Sequence, residues 1–168
     1  MSHRDARERC AWPRVVLLAA ICSLIVSPLF DLGSGAQQSP APAPGAAAPA
    51  GVVREVEAGL AQAVQRFEAR DVAGVLARVS DQYRTGPITK AGIREQLLAT
   101  YGLYDSVKAT VRIDEVRMVG EHAWVYSTGE ISGRLRLLGT PIVFLSWERE
   151  LEVVRREGGV WRLFGYQQ

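Results

Sequence analysis

The sequence predicts an α+β domain over Val52–Gln168, with three helices packed on one face of a curved antiparallel sheet of about four strands. Two observations carry this. Apolar residues recur at helical spacing as far as Tyr101, and from Val107 the period falls to two. Helices that precede an unbroken run of strands belong on one face of a meander.

Val53, Val56, Leu60, Val64 and Phe67 make Val52–Ala69 an amphipathic helix. Asp71 is placed to cap a short second helix, Val72–Val79. Thr89 is placed to cap a third, Lys90–Tyr101, with Ile93, Leu97, Leu98 and Tyr101 as its apolar face and Gly102 as its stop. Ala109–Val119 reads as a strand whose alternation slips at Asp114-Glu115, the signature of a bulge. Gly120-Glu121 turns the chain into His122–Ser132. Gly139-Thr140-Pro141 leads into a long strand, Ile142–Arg156, and Glu157-Gly158-Gly159 turns into the last, Val160–Tyr166.

Two segments precede this domain. In residues 1–36, Arg4, Arg7, Arg9 and Arg14 stand ahead of the uncharged Val15–Phe30, followed by the small residues Ser34-Gly35-Ala36. This is a secretory signal pattern with cleavage before Gln37. The uncharged run would span roughly 24 Å as a helix, short of the ~30 Å hydrocarbon core, yet it is long for a signal peptide, so an uncleaved membrane anchor stays open. On either reading the domain is exported: periplasmic, secreted, or anchored with the domain outside the cytoplasm. Residues 37–51 are an Ala/Pro-rich spacer.

Cys10 and Cys22 both lie in the first segment, so the domain has no disulfide and no cysteine site. His122 is its single histidine, which argues against a metal centre. Residues 52–168 carry 16 Arg/Lys and 15 Asp/Glu with the signs interspersed, which excludes a nucleic-acid binder with a basic stripe. No cofactor motif occurs.

Several local words resemble the nuclear transport factor 2-like superfamily, the cone-shaped fold of ketosteroid isomerases and polyketide-cyclase-like proteins. They are Ala69-Arg70-Asp71-Val72, Ser80-Asp81-Gln82-Tyr83, Lys90-Ala91-Gly92-Ile93-Arg94 and Gly159-Val160-Trp161-Arg162-Leu163. The resemblance covers residues 52–168 and implies a pocket between sheet and helices, and frequent homodimers. It does not imply one activity. The isomerase base falls at Gly86 and the isomerase tyrosine near Phe67, so that catalytic set is missing.

Weak catalytic candidates are Asp81, as a base, and Arg149, which with Tyr83 would polarise a carbonyl. Strict alternation puts Leu145, Trp147, Arg149, Leu151 and Val153 on one face of the long strand and Ser146, Glu148, Glu150 and Glu152 on a solvated one. Arg149 is then either a pocket cation or the partner of an acid such as Asp81. Phe67, Tyr83, Tyr101, Trp147 and Arg149 are the expected pocket. Trp124 and Tyr126 are expected to point away from the helices into a dimer interface, the opposite parity placing them in the pocket. The expected function is an exported, non-catalytic domain that binds a small apolar ligand or a protein. The alternatives are a lyase or isomerase on a small apolar carbonyl compound, and a membrane-tethered assembly module of the cell envelope.

Overall fold

Helix α1, Ala50–Glu68, forms because its apolar stripe has a sheet to cover. Val56 and Phe67 on that stripe are buried, and Val52 and Val53 pack beside Val56. The helix ends where Arg70 turns to φ +60°. The Arg70 and Asp71 N–H groups donate back to the carbonyls of Phe67 and Arg66, a Schellman closure with arginine where glycine is usual. Asp71 then caps α2, Val72–Leu76, accepting from the Gly74 N–H at 2.8 Å. A small hairpin of β2, Arg84–Thr85, and β3, Ile88–Thr89, was not expected from the sequence. Thr89 accepts from the Gly92 N–H and opens α3, Lys90–Leu103. Gly102 lies inside that helix and does not stop it. The chain turns directly into an extended Tyr104 instead.

The computed structural model describes residues 45–166. The signal or anchor reading of residues 1–36 lies outside them. Among the described residues no helix is long and apolar enough to cross a membrane. Part of the stretch read as spacer is ordered: β1, Ala46–Ala47, pairs with Met118 and Arg117, and α1 begins inside it.

The main sheet is antiparallel with order β1-β4-β5-β6-β7, five strands where about four were expected. β4 is Tyr104–Val119, β5 is His122–Leu135, β6 is Pro141–Glu157 and β7 is Val160–Leu163. The strands run longer than their alternation suggests because both ends stay paired.

Two of the register irregularities in the sheet lie side by side. Asp114 is the extra residue between Ile113 and Glu115 on β4, where the sequence pattern slips. On β6, Glu148 and Arg149 both face Thr128, and Arg149 takes φ +46°. Thr128 joins the two bulges: its hydroxyl donates to Asp114 Oδ2 at 2.6 Å and accepts from the Arg149 N–H at 3.0 Å. Bulges increase local twist and bend, and this aligned pair curves the sheet around the helices.

The core has two parts. The larger gathers Phe67, Val75, Tyr83, Ile93, Leu97 and Trp147 under the three helices. The smaller joins Val56 of α1 to Val116, Ala123, Val125 and Trp161 of the sheet.

Candidate functional site

A cavity of about 70 Å³ opens between α1 and the concave face of the sheet. Val56, Gly59, Leu60 and Ala63 supply the helix wall. Ile113, Val125, Val154 and Leu163 supply the sheet wall, with Trp161 at one side. Among these apolar groups stand two charged residues, Glu152 of β6 and Arg78, just after α2. Glu152 is 3% exposed.

The β6 bulge explains why a glutamate is there. Before it, Trp147 and Leu145 face the helices opposite Gly129 and Ile131. The doubled step at Glu148-Arg149 reverses the parity. Glu150 then lies opposite Ser127, Glu152 opposite Val125 and Val154 opposite Ala123, all on the inner face. The expectation of an uninterrupted strand with a solvated glutamate face is therefore corrected for Glu150 and Glu152. Leu151 and Val153 turn outward with Tyr126 and Trp124.

The expected pocket residues come together in part, but elsewhere. Phe67, Tyr83, Tyr101 and Trp147 meet as packed core, and none of them lines the cavity. The Tyr101 hydroxyl donates to the Phe67 carbonyl at 3.0 Å, and the Trp147 indole N–H donates to Ser127 Oγ at 3.2 Å. Arg149 is on the outer face, exposed, over the Tyr126 ring at 5.1 Å and paired with Glu115. Hydrogen bonds from Arg117 and then Arg149 hold the Glu115 carboxyl below its ordinary range. Asp81 is far from the cavity in chemistry as well: it is solvent-exposed and bonded to Lys90 at 2.7 Å, which lowers its pKa. Asp81 and Arg149 are not partners of one another.

Trp124 and Tyr126 alternate with Val125, which lines the cavity, and so lie on the opposite face of the sheet. His122 lies against Phe164 with the rings tilted by 43° and their centroids 5.1 Å apart. Sequence reasoning missed Glu152 altogether. The one signal available was the bulge, and the alternation Glu148, Glu150, Glu152 conceals it.

Burial pushes the Tyr101 hydroxyl up to about 12. In the unfolded chain a tyrosine ionises near its ordinary value of 10.0. The neutral form is thus favoured by folding, its contribution is complete below pH ~10, and it is lost as pH rises toward about 12. Urea midpoints are expected to fall across that window, and Tyr101→Phe is expected to flatten the fall. An unchanged slope in the variant would remove Tyr101 as the cause.

No protein-family model matches the sequence, and no curated protein matches it. Solved structures do. The chain is similar to a ketosteroid isomerase-like protein from Erwinia carotovora atroseptica, with 20% identity, 67% of this chain and 90% of that one covered, and a TM-score of 0.52. It is similar to a dehydratase candidate of the NTF2-like family from Streptomyces avermitilis, with 14% identity, coverage of 70% and 94%, and a TM-score of 0.55. A scytalone dehydratase candidate from Novosphingobium aromaticivorans matches with 11% identity, coverage of 68% and 80%, and a TM-score of 0.59. Three helices on one face of a bent antiparallel sheet, with a cavity between them, agree with these matches: the chain has the nuclear transport factor 2-like fold.

Proposed function

We propose that this domain works outside the cytoplasm as a binding domain for a small, mostly apolar molecule bearing one cationic or N–H donor group, which Glu152 accepts. The observation that carries the proposal is a carboxylate, 3% exposed, in the wall of an apolar cavity. Few specific polar groups in an apolar enclosure is the general form of a small-molecule site. A charge-assisted hydrogen bond there is stronger than in water. The size bounds the ligand: about 70 Å³ is roughly half the ~150 Å³ that admits benzene. A short alkylamine fits this description, and a larger ligand requires α1 to shift outward.

The test is a thermal-shift series with short alkylamines, their alcohol isosteres and their carboxylic acid counterparts. Amines are expected to raise the melting temperature of the wild type and not that of Glu152→Gln. Equal responses to all three classes would sink the proposal.

A second reading has one observation in its favour. A buried carboxylate in the wall of an apolar cavity is also where a general acid or base would stand. On that reading the domain is a lyase or isomerase with Glu152 as proton carrier. Asp81 and Arg149, away from the cavity, have no part in it. Any turnover found that survives Glu152→Gln excludes it.

The half-buried Trp124 and Tyr126 on the outer sheet face support self-association of the domain as a homodimer. Sedimentation velocity is expected to give a dimer for the wild type and a monomer for Trp124→Arg. A monomeric wild type would end this part of the proposal.

A further inference from the structure

The turn between β5 and β6 carries the most exposed large apolar side chains among the described residues. Leu137 is 96% exposed and Leu138 74%. The turn holds them there. The Gly139 N–H donates to the Leu135 carbonyl at 2.7 Å, and the Leu135 N–H donates to the Thr140 carbonyl at 3.0 Å. Arg134 Nη1 ties down the Gly139 carbonyl at 2.9 Å, and Gly139 takes φ +62°. A third apolar group, Leu103, adjoins them: its carbonyl accepts the Arg136 N–H, and it is itself 51% exposed.

The rim of this tip is basic. Arg134 and Arg136 precede the leucines in sequence. Arg70 reaches the same end through the carbonyls of Tyr101 and Asp105. One carboxylate, Asp105, pairs with Arg136 at 3.3 Å. Three guanidiniums thus stand beside one carboxylate around a convex apolar point. A convex point offers no pocket for a partner side chain. It suits a soft apolar medium beneath a layer of anionic headgroups, where buried leucines and nearby arginines both contribute.

We propose that the Leu137-Leu138 tip inserts into an anionic phospholipid surface. Chain length agrees with this. Fifteen residues, 31–45, separate the uncharged run ending at Phe30 from Ala46. At ~3.3 Å per residue, the limit of a fully extended chain, they can reach about 50 Å. β4 runs from Tyr104, opposite Leu135 beside the tip, to Met118, opposite Ala46. Those 14 steps measure about 46 Å at ~3.3 Å each. This stretch can therefore reach as far as the strand is long, so a chain held in a membrane by Val15–Phe30 can lay the tip on that same membrane.

The test uses the full chain carrying Cys10→Ser, Cys22→Ser and Leu138→Cys, with the environment-sensitive dye NBD on the last. It is reconstituted into phosphatidylcholine vesicles with and without phosphatidylglycerol. We expect a blue-shifted, brighter emission with phosphatidylglycerol and little change without it. Arg134→Gln and Arg136→Gln are each expected to lower the ratio of inserted to free tip about fivefold. Because Arg134 also braces the turn, a salt titration of the tip with both arginines intact is the second measurement, and insertion is expected to weaken as salt rises. Emission that ignores phosphatidylglycerol overturns the proposal. So does a shift that needs no vesicles and grows with protein concentration, since the tip would then be covered by a second copy of the chain.

Discussion

Trp147→Ala is expected to lower the stability of the domain by about 3–5 kcal/mol, a large share of the roughly 5–15 kcal/mol that domains possess. Trp147 is 5% exposed and sits in the larger core with Phe67, Tyr101 and Ile131. Its removal leaves a void among residues fixed by three helices and leaves buried Ser127 Oγ without the indole donor. Gly129, opposite on β5, shows how closely the indole is fitted. A β-carbon there would lie 2.6 Å from the ring and 2.5 Å from the Thr110 carbonyl oxygen, which is backbone and cannot swing aside. Gly129→Ala is accordingly expected to cost about 1–3 kcal/mol by overpacking the same point. Urea unfolding should show both as lower midpoints at an unchanged slope. A loss below ~1 kcal/mol for Trp147→Ala would mean that the site collapses around the missing ring, as a loosely lined pocket would and a fitted core does not.

Glu152→Gln is expected to weaken binding of an amine ligand by about 10- to 150-fold, the equivalent of the ~1.5–3 kcal/mol that a hydrogen bond to a charged group contributes. The amide keeps the shape of the side chain and removes its charge, so the comparison isolates the ionic part of recognition. Arg149→Ala and Asp81→Ala are the controls. Both residues lie at the solvent-exposed surface, paired with Glu115 and Lys90, and their removal should leave affinity unchanged. Calorimetric titration of the three variants decides the matter. Full affinity in Glu152→Gln would take the ligand out of this cavity, and a loss in Arg149→Ala would move it to the outer face of the sheet.

The sequence was informative where structure is decided locally. Asp71 and Thr89 cap the helices they were expected to cap, since a cap depends on its next three residues. The bulge at Asp114 is legible because the alternation slips there. The bulge at Arg149 is not, and the reason lies on both faces of β6. Leu151 and Val153 look like a continuation of Leu145 and Trp147, but their apolar cover is different. Trp124 and the C-terminal segment lie over them: Phe164 and Gly165 donate to the Val153 carbonyl and the Tyr166 hydroxyl donates to that of Leu151. With apolar cover on both sides, apolar residues no longer mark one side as inner. The expected pocket residues pack as core for a related reason. Aromatic residues on facing elements can either enclose space or fill it, and the choice depends on side-chain volumes across the whole core. The β1 pairing was hidden because Ala46 and Ala47 contribute backbone hydrogen bonds and almost no side chain.

The parity reversal in β6 makes residue count, rather than residue identity, the carrier of information. Deleting one residue at 148–149 would act on the strand as a frameshift acts on a message. Every later side chain would be read from the opposite face: Leu151 and Val153 would turn inward and Glu150 and Glu152 outward, which takes Glu152 out of the cavity wall. The cavity would lose its one carboxylate and keep Arg78 as its charged residue, with no substitution anywhere in its lining. A fold that curves its sheet with bulges can therefore exchange one ligand chemistry for another in a single step of length, and chains aligned only by residue type would give no sign that it had happened.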